Sequence, residues 1–443
     1  MVPSRPLHGV PILLKDNIVT LDSMQSTSGS FALIDCRPEE EAAFATALRK
    51  AGAIILGKAN LAEWVGLRTT DSTTGWSPRG GQATEIFYPN MKAFGSSTGS
   101  AISTSLGLTF ASFGTETISS IVSPAEKSAV VGFKPTKELI SSAGIIYDSR
   151  RQDAIGLLTR NVRDAAHILR EILRHTSDHA RDALGSPLTP KLAVGSSDTD
   201  LRDVRIGIPG NIGVMRSISS IKQEAFDEAY EDLPQESKQV ILDTDLKISM
   251  DYYLSTLKSN PHNLRRLEDV IDFTKHSRAE EYPERDMGGF ARAAKTDPAD
   301  KPYREMLTRD EYFVGEGGIA GAIDRHNLHV LLMSTASMTM STFAAKAGSS
   351  VMSVPLGFFP PGTKVEHESK NELVNVAPNI PKADQNDIYS LYIFGKANAD
   401  DDVLRVGHVF EQLSIVQDRA RPYKMPRTDL SDVVRSSGSQ SKL

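Results

Sequence analysis

Two stretches decide the reading of this chain: FGSSTGSAISTSLG, from Phe94 to Gly107, and GTETISSIVSP, from Gly114 to Pro124. They read as a serine-glycine loop, a helix from Ser100 to Leu106 behind it, a strand from Leu108 to Phe113, and a second serine loop. Taken alone, a serine-rich loop is a turn or a nest of backbone amides around an anion. A phosphate-binding P-loop is excluded, because no Lys-Ser/Thr pair follows the glycines. Far upstream, PLHGVPILLKDN, from Pro6 to Asn17, is an apolar run that ends in Lys15. A lysine at a strand end is ordinarily a surface group. The buried-strand character of Val10 to Leu14, however, predicts a low-dielectric setting in which the amine loses its charge. A serine hydroxyl needs such a base before it can attack an amide.

In their order these pieces resemble the core of the amidase signature family, in which a glycine-flanked serine pair precedes a Gly-Thr-Asp/Glu loop that ends in the nucleophile. Ser96 matches the relay serine, which the family holds with a cis peptide bond. The family interval of 24 residues from Ser96 falls on Ser120, not on Ser119. Lys15 matches the base, and Glu116 the acidic position of the loop. GKANLAEW (Gly57 to Trp64), TGWSPRGGQ (Thr74 to Gln82), VVGFKPT (Val130 to Thr136) and QDAIGLLTR (Gln152 to Arg160) follow in the same order. The likeness is strong over residues 6–170 and weakens beyond. VPLGFFPPG (Val354 to Gly362) and FEQ (Phe410 to Gln412) recover the closing strand and helix.

The resemblance implies an α/β fold with one large mixed, twisted β-sheet covered by helices on both faces. It implies hydrolysis of an amide C–N bond through an acyl-enzyme, with Ser120 as nucleophile, Ser96 as relay, Lys15 as base, and an oxyanion hole from the backbone N–H groups of Thr117, Ile118, Ser119 and Ser120. It requires no metal and no organic cofactor. Two departures stand out. The family usually has glycines where this chain has Ile118 and Ser119, so a positive φ at Ser119 would store about 1–3 kcal/mol of strain. The lysine strand also begins almost at Met1, so the fold is expected to be N-terminally shortened. These departures motivate an alternative, an amidase-like binding protein of impaired activity. The glutaminase subunit of a transamidation complex is a further alternative that the family contains.

Composition fits a globular enzyme: 443 residues, 40% hydrophobic, 24% charged, with a net charge of −6 that disfavours a nucleic-acid surface. No run of 18 apolar residues predicts a transmembrane helix, and Met1 to Pro6 lacks the apolar core of a secretory signal. A lone Cys36 cannot form an internal disulfide and reads as structural. Residues 1–430 are expected to form a single domain: a signature core at 6–170, a divergent substrate-facing region at 176–327, and closing strands and helix at 328–414. A flexible tail, 431–443, ends in Ser441-Lys442-Leu443, the peroxisomal address read by an import receptor. The expected partners are that receptor and a small-molecule amide, with the cytoplasm as the alternative location and a homodimer left open.

The remaining elements follow from pattern. Pro38 and the three glutamates after it predict the start of a helix that runs to Lys50 and stops at Gly52. Ala53 to Gly57 reads as a buried strand, and Val162 to Leu173 as an amphipathic helix. Val204 to Pro209, Leu328 to Met333 and Val351 to Pro355 read as later strands, and Ser220 with Gln223 as a capping box for a helix to about Leu233. This alternation predicts a largely parallel sheet. His175, Asp178 and His179 read as a solvated helix end rather than a metal pair, and Glu280, Glu281 and Glu284 as solvated faces.

Overall fold

The computed structural model describes residues 6–70, 74–89, 91–175, 201–209, 235–334, 336–358, 388–416, 419–423 and 425. The expected helix at Ser220, Asp178 and His179, and the Ser441-Lys442-Leu443 tail lie outside the described residues.

Thirteen strands occur among the described residues: β1 (Pro11–Lys15), β2 (Arg37–Pro38), β3 (Ile54–Ala59), β4 (Trp76–Ser77), β5 (Gly81–Gln82), β6 (Ala111–Glu116), β7 (Val131–Lys134), β8 (Ala154–Thr159), β9 (Ile206–Gly207), β10 (Leu257–Ser259), β11 (Val330–Met333), β12 (Val351–Phe358) and β13 (Ile388–Phe394). Nine of them form one sheet in the order β3-β1-β6-β8-β7-β12-β13-β11-β9; β2 with β10 and β4 with β5 make two small ribbons. The sheet is mixed. Only β1 with β3, β1 with β6, and β11 with β9 are parallel, while the five central pairs are antiparallel. The alternation argument for a largely parallel sheet is thereby corrected. A parallel neighbour needs a crossover connection, and no helix lies between β7 and β8.

Helices cover both faces. On one side α1 (Ala43–Ala51) and α4 (Val162–His175), with the helix Asp400–Ser414, bury Phe44, Leu48, Leu169 and Val403 against Ile12, Leu14, Phe113 and Leu157. On the other, α2 (Thr98–Ser105) and α3 (Val122–Lys127) pack Ala101 and Ala125 against Leu158. Leu157 and Leu158 face opposite ways because successive side chains in a strand alternate. A further cluster joins the helix Gln235–Ser255 to Trp64, Leu267 and Phe290.

Several local expectations shift. The first helix starts at Ala43 rather than Pro38, because Arg37 and Pro38 pair with Ser259 and Leu257. Gly52 ends it in the left-handed conformation at φ 94°. β3 is an edge strand rather than a buried one: Ile54 is 51% and Leu56 47% exposed. The strand before the second serine loop begins at Ala111, since the amide of Leu108 still caps α2 on Ser103. The expected strands at 204–209 and 328–333 contract to Ile206–Gly207 and Val330–Met333.

Candidate active site

Lys15 closes β1, an interior strand flanked by β3 and β6, so its side chain is completely buried. The parallel register sets Ile12, Leu13 and Leu14 opposite Ala111, Ser112 and Phe113. Continuing that register brings Lys15 to the end of β6. There its Nζ donates to Ser96 Oγ at 2.6 Å and to the Thr115 carbonyl at 3.0 Å. Burial pulls the amine down from its ordinary 10.5 to about 7, against the opposing pull of Asp148, Asp153 and Glu116. Near neutral pH a large fraction of Lys15 is uncharged. Asn17, two residues on, donates from Nδ2 to Thr115 Oγ1 at 3.0 Å and to the Ile146 carbonyl at 3.2 Å.

The two serine loops are locked together by backbone contacts, and Gly99 and Gly114 leave no room for a side chain. The Gly95–Ser96 peptide is cis. The Ser96 carbonyl accepts from Ala62 N at 3.1 Å, and Ser97 N donates to the Ser120 carbonyl at 3.1 Å. A Cβ on Gly99 would lie 2.5 Å from the Asn60 carbonyl oxygen, and one on Gly114 2.5 Å from Ser97 Oγ. Ser96 and Ser120, separated by 24 positions in the chain, thus meet in one cavity wall.

Glu116 shapes the turn that carries Ser120. Its carboxylate is buried and accepts from Ile121 N at 2.6 Å and Val122 N at 3.1 Å, folding the chain back over Thr117 to Ser120. Burial raises its pKa, with Lys134 nearby acting against that. None of the backbone N–H groups of Thr117, Ile118, Ser119 and Ser120 donates to an acceptor among the described residues. They are free to meet a developing oxyanion. Ser119 has φ 61°, the left-handed conformation expected for a glycine-like position, and its buried Oγ has no partner among the described residues. Ile118 keeps a negative φ and lines the cavity, so the β-branched residue is not where the backbone is strained.

Two carboxylates that no motif marks as site residues, Asp148 and Asp153, stand beside this loop. Asp153 Oδ1 accepts from Thr117 Oγ1 at 2.6 Å, and its Oδ2 accepts from the amides of Asp148 and Ser149 at 2.7 and 3.2 Å. Asp148 Oδ2 lies 3.2 Å from the same Thr117 hydroxyl. Burial is the main reason both pKa values rise, to about 6 for Asp153 and well above the usual range for Asp148. Asp153 belongs to the QDAIGLLTR stretch; Asp148 sits in no motif.

Glu280 corrects an expectation. It is fully buried rather than solvated, accepting from Ser30 Oγ and Phe31 N at 2.7 Å each and pairing with Arg68 at 3.1 Å. Arg68 also pairs with Glu63 at 2.6 Å. This buried cluster anchors the segment whose residues Val65, Gly66 and Leu67 line the cavity. A run of acids looks solvated until a distant arginine is brought against it. His175 ends α4, away from the cavity wall.

The cavity has a volume of about 820 Å³ and is lined by Ser96, Ser120, the whole Thr117–Ser120 turn and Asp148, together with apolar Val65, Leu67, Leu242 and Met338. Gln239, Leu242 and Arg292 enter its wall from the divergent central region. Residues 2–362 match the family model described as Amidase.

This chain belongs to the amidase family.

A fungal protein named as an amidase, from Arthroderma benhamiae, is 34% identical over 97% of this chain and 74% of its own length. An Arabidopsis thaliana protein also named as an amidase is 32% identical over 80% of this chain and 71% of its own. The solved structure of native peptide amidase from Stenotrophomonas maltophilia covers 95% of this chain and 85% of its own, at 30% identity and a TM-score of 0.73. The mixed nine-stranded sheet is the amidase fold, and the chain is a hydrolase of amide carbon–nitrogen bonds.

Proposed function

We propose that hydrolysis runs through Lys15, Ser96 and Ser120. The observation that carries this reading is the buried, depressed-pKa amine of Lys15 held 2.6 Å from Ser96 Oγ, beside the loop that bears Ser120. Neutral Lys15 takes the proton of Ser96 while Ser96 takes that of Ser120, and Ser120 Oγ bonds to the amide carbon. The N–H groups of Thr117 to Ser120 meet the oxyanion, each such donor being worth roughly a hundred- to a thousandfold in rate. When the tetrahedral centre collapses, the C–N bond breaks and the relay run backwards delivers the proton to the leaving nitrogen. Water, deprotonated by the same relay, then attacks the acyl carbon and releases the acid.

A fluorophosphonate probe tests the assignment. Intact mass and peptide mapping are expected to find one adduct at Ser120, lost in Ser120→Ala and Lys15→Ala and retained in Ser119→Ala. An adduct on Ser119, or one indifferent to Lys15, would refute it.

The cavity volume suits a small to medium amide, consistent with a role in specialised metabolism or detoxification. We also propose that Ser441-Lys442-Leu443 directs the protein to peroxisomes through the import receptor. A reporter ending in the native tail should enter peroxisomes and lose that address when Leu443 is deleted; diffuse signal from the intact tail would overturn this.

A further inference from the structure

Among the described residues Asp148 is the acidic side chain in the cavity wall; it is only 4% exposed and makes no direct ion pair, Lys15 acting on it without a contact. Burying a carboxylate without a cation is costly unless hydrogen bonds replace the lost water. Asp153 meets that requirement: one oxygen takes the Thr117 hydroxyl and the other two amides. Asp148 does not. Thr117 has a single proton, and its shorter contact, 2.6 Å against 3.2 Å, is to Asp153. The neighbouring cations are committed elsewhere. Lys15 Nζ is used by Ser96 and the Thr115 carbonyl, and Arg292 across the cavity pairs with Asp243 at 3.1 Å. The guanidinium of Arg150, two residues on, lies 3.8 Å from the Tyr252 ring centre.

A spare carboxylate in the wall of a cavity whose other lining is largely apolar has one natural complement, a cationic amine delivered by the ligand. Resting on hydrolysis at Ser120 as proposed above, we infer that this site takes amides bearing a protonated amine, as in an aminoacyl amide, and that Asp148 binds the ammonium while Val65, Leu67, Leu242 and Met338 receive an aliphatic side chain. Asp148 is then a specificity residue. Burial beside Asp153 keeps its carboxyl well above the usual pKa range in the free protein. An arriving ammonium reverses this, so binding releases a proton.

The test uses Ser120→Ala protein at pH 7, titrated calorimetrically with leucinamide and with 4-methylpentanamide, the same molecule without its amine. Leucinamide is expected to bind about tenfold tighter or more, the scale of a charge-assisted contact. That advantage should vanish in Ser120→Ala/Asp148→Asn, and buffers of different ionisation enthalpy should report proton release only with Asp148 present. Equal affinities, an advantage untouched by Asp148→Asn, or binding of neither ligand would overturn the inference. The two-ligand comparison on Ser120→Ala stands even if the Asn variant fails to fold. The failure modes separate: Ser120 labelling and turnover of both amides without amine preference refutes the role of Asp148 alone, whereas amine-selective binding without labelling refutes the triad alone. Equal loss of both amides with a shifted pH profile in Asp148→Asn would mean that Asp148 only tunes Lys15, and would likewise overturn the inference.

Discussion

Replacing Ser119 with glycine is expected to stabilise the folded protein, and the size of the effect follows from its geometry. Ser119 sits at φ 61° with a buried hydroxyl that meets no partner among the described residues. An L-residue in the left-handed region costs about 1–2 kcal/mol, and an unpaired buried hydroxyl adds about 1 kcal/mol or more. Glycine returns about 0.5–1 kcal/mol of this through its freer unfolded chain. The net expectation is a gain of about 1–2 kcal/mol. Urea unfolding would read it as a higher midpoint at unchanged slope, with Ser119→Val moving the midpoint the other way because a β-branched residue tolerates positive φ least. A glycine variant no more stable than the parent would refute the strain argument. The same variant separates strain from chemistry. The N–H groups of the turn are already open, so the fluorophosphonate rate should change less than about tenfold; a gain of about a hundredfold, the scale of one oxyanion donor, would mean that Ser119 withholds one.

Three further predictions bear on buried charge. Because Lys15 must be neutral to act, kcat/KM should rise with pH through about 7, and in Lys15→Met the residual rate should lose that inflection. The stability effect has the same sign: the unfolded chain holds the Lys15 proton up to 10.5 and the folded one only to about 7, so the unfolded state binds more protons in that window and stability rises with pH across it, a slope that Lys15→Met should remove. Arg68→Met, which leaves Glu63 and Glu280 buried without their cation, should lose about 3–5 kcal/mol in denaturant unfolding. Adding Glu63→Gln and Glu280→Gln should recover much of that loss; no recovery would mean that packing, not charge, sets the cost.

What could be read from the chain alone was chemistry held in short-range pattern. The serine-glycine loops, the lysine after an apolar run, the 24-residue interval and the glycine-like demand at Ser119 are local, because turn conformation and strand burial are written within a few residues. Helix α4 was legible from its apolar stripe, whereas the start of α1 was not, since Pro38 and its acids fit a helix start until Leu257 and Ser259 claim that backbone for a ribbon. The mixed sheet was implied by resemblance and contradicted by the alternation of elements, which does not encode which strands become neighbours.

Only the tertiary structure decided what those groups meet. β1 lying against β6 sets Lys15 on Ser96, 81 residues away, and buries it completely, which is what lowers the amine to about 7. Glu280 and Asp148 are both ordinary acids in sequence; one is buried against Arg68, more than 200 residues distant, and the other faces a cavity without a direct ion pair among the described residues. The charge state of a buried group depends on the dielectric and the partners that long-range packing supplies, and neither is carried by the residues next to it in the chain.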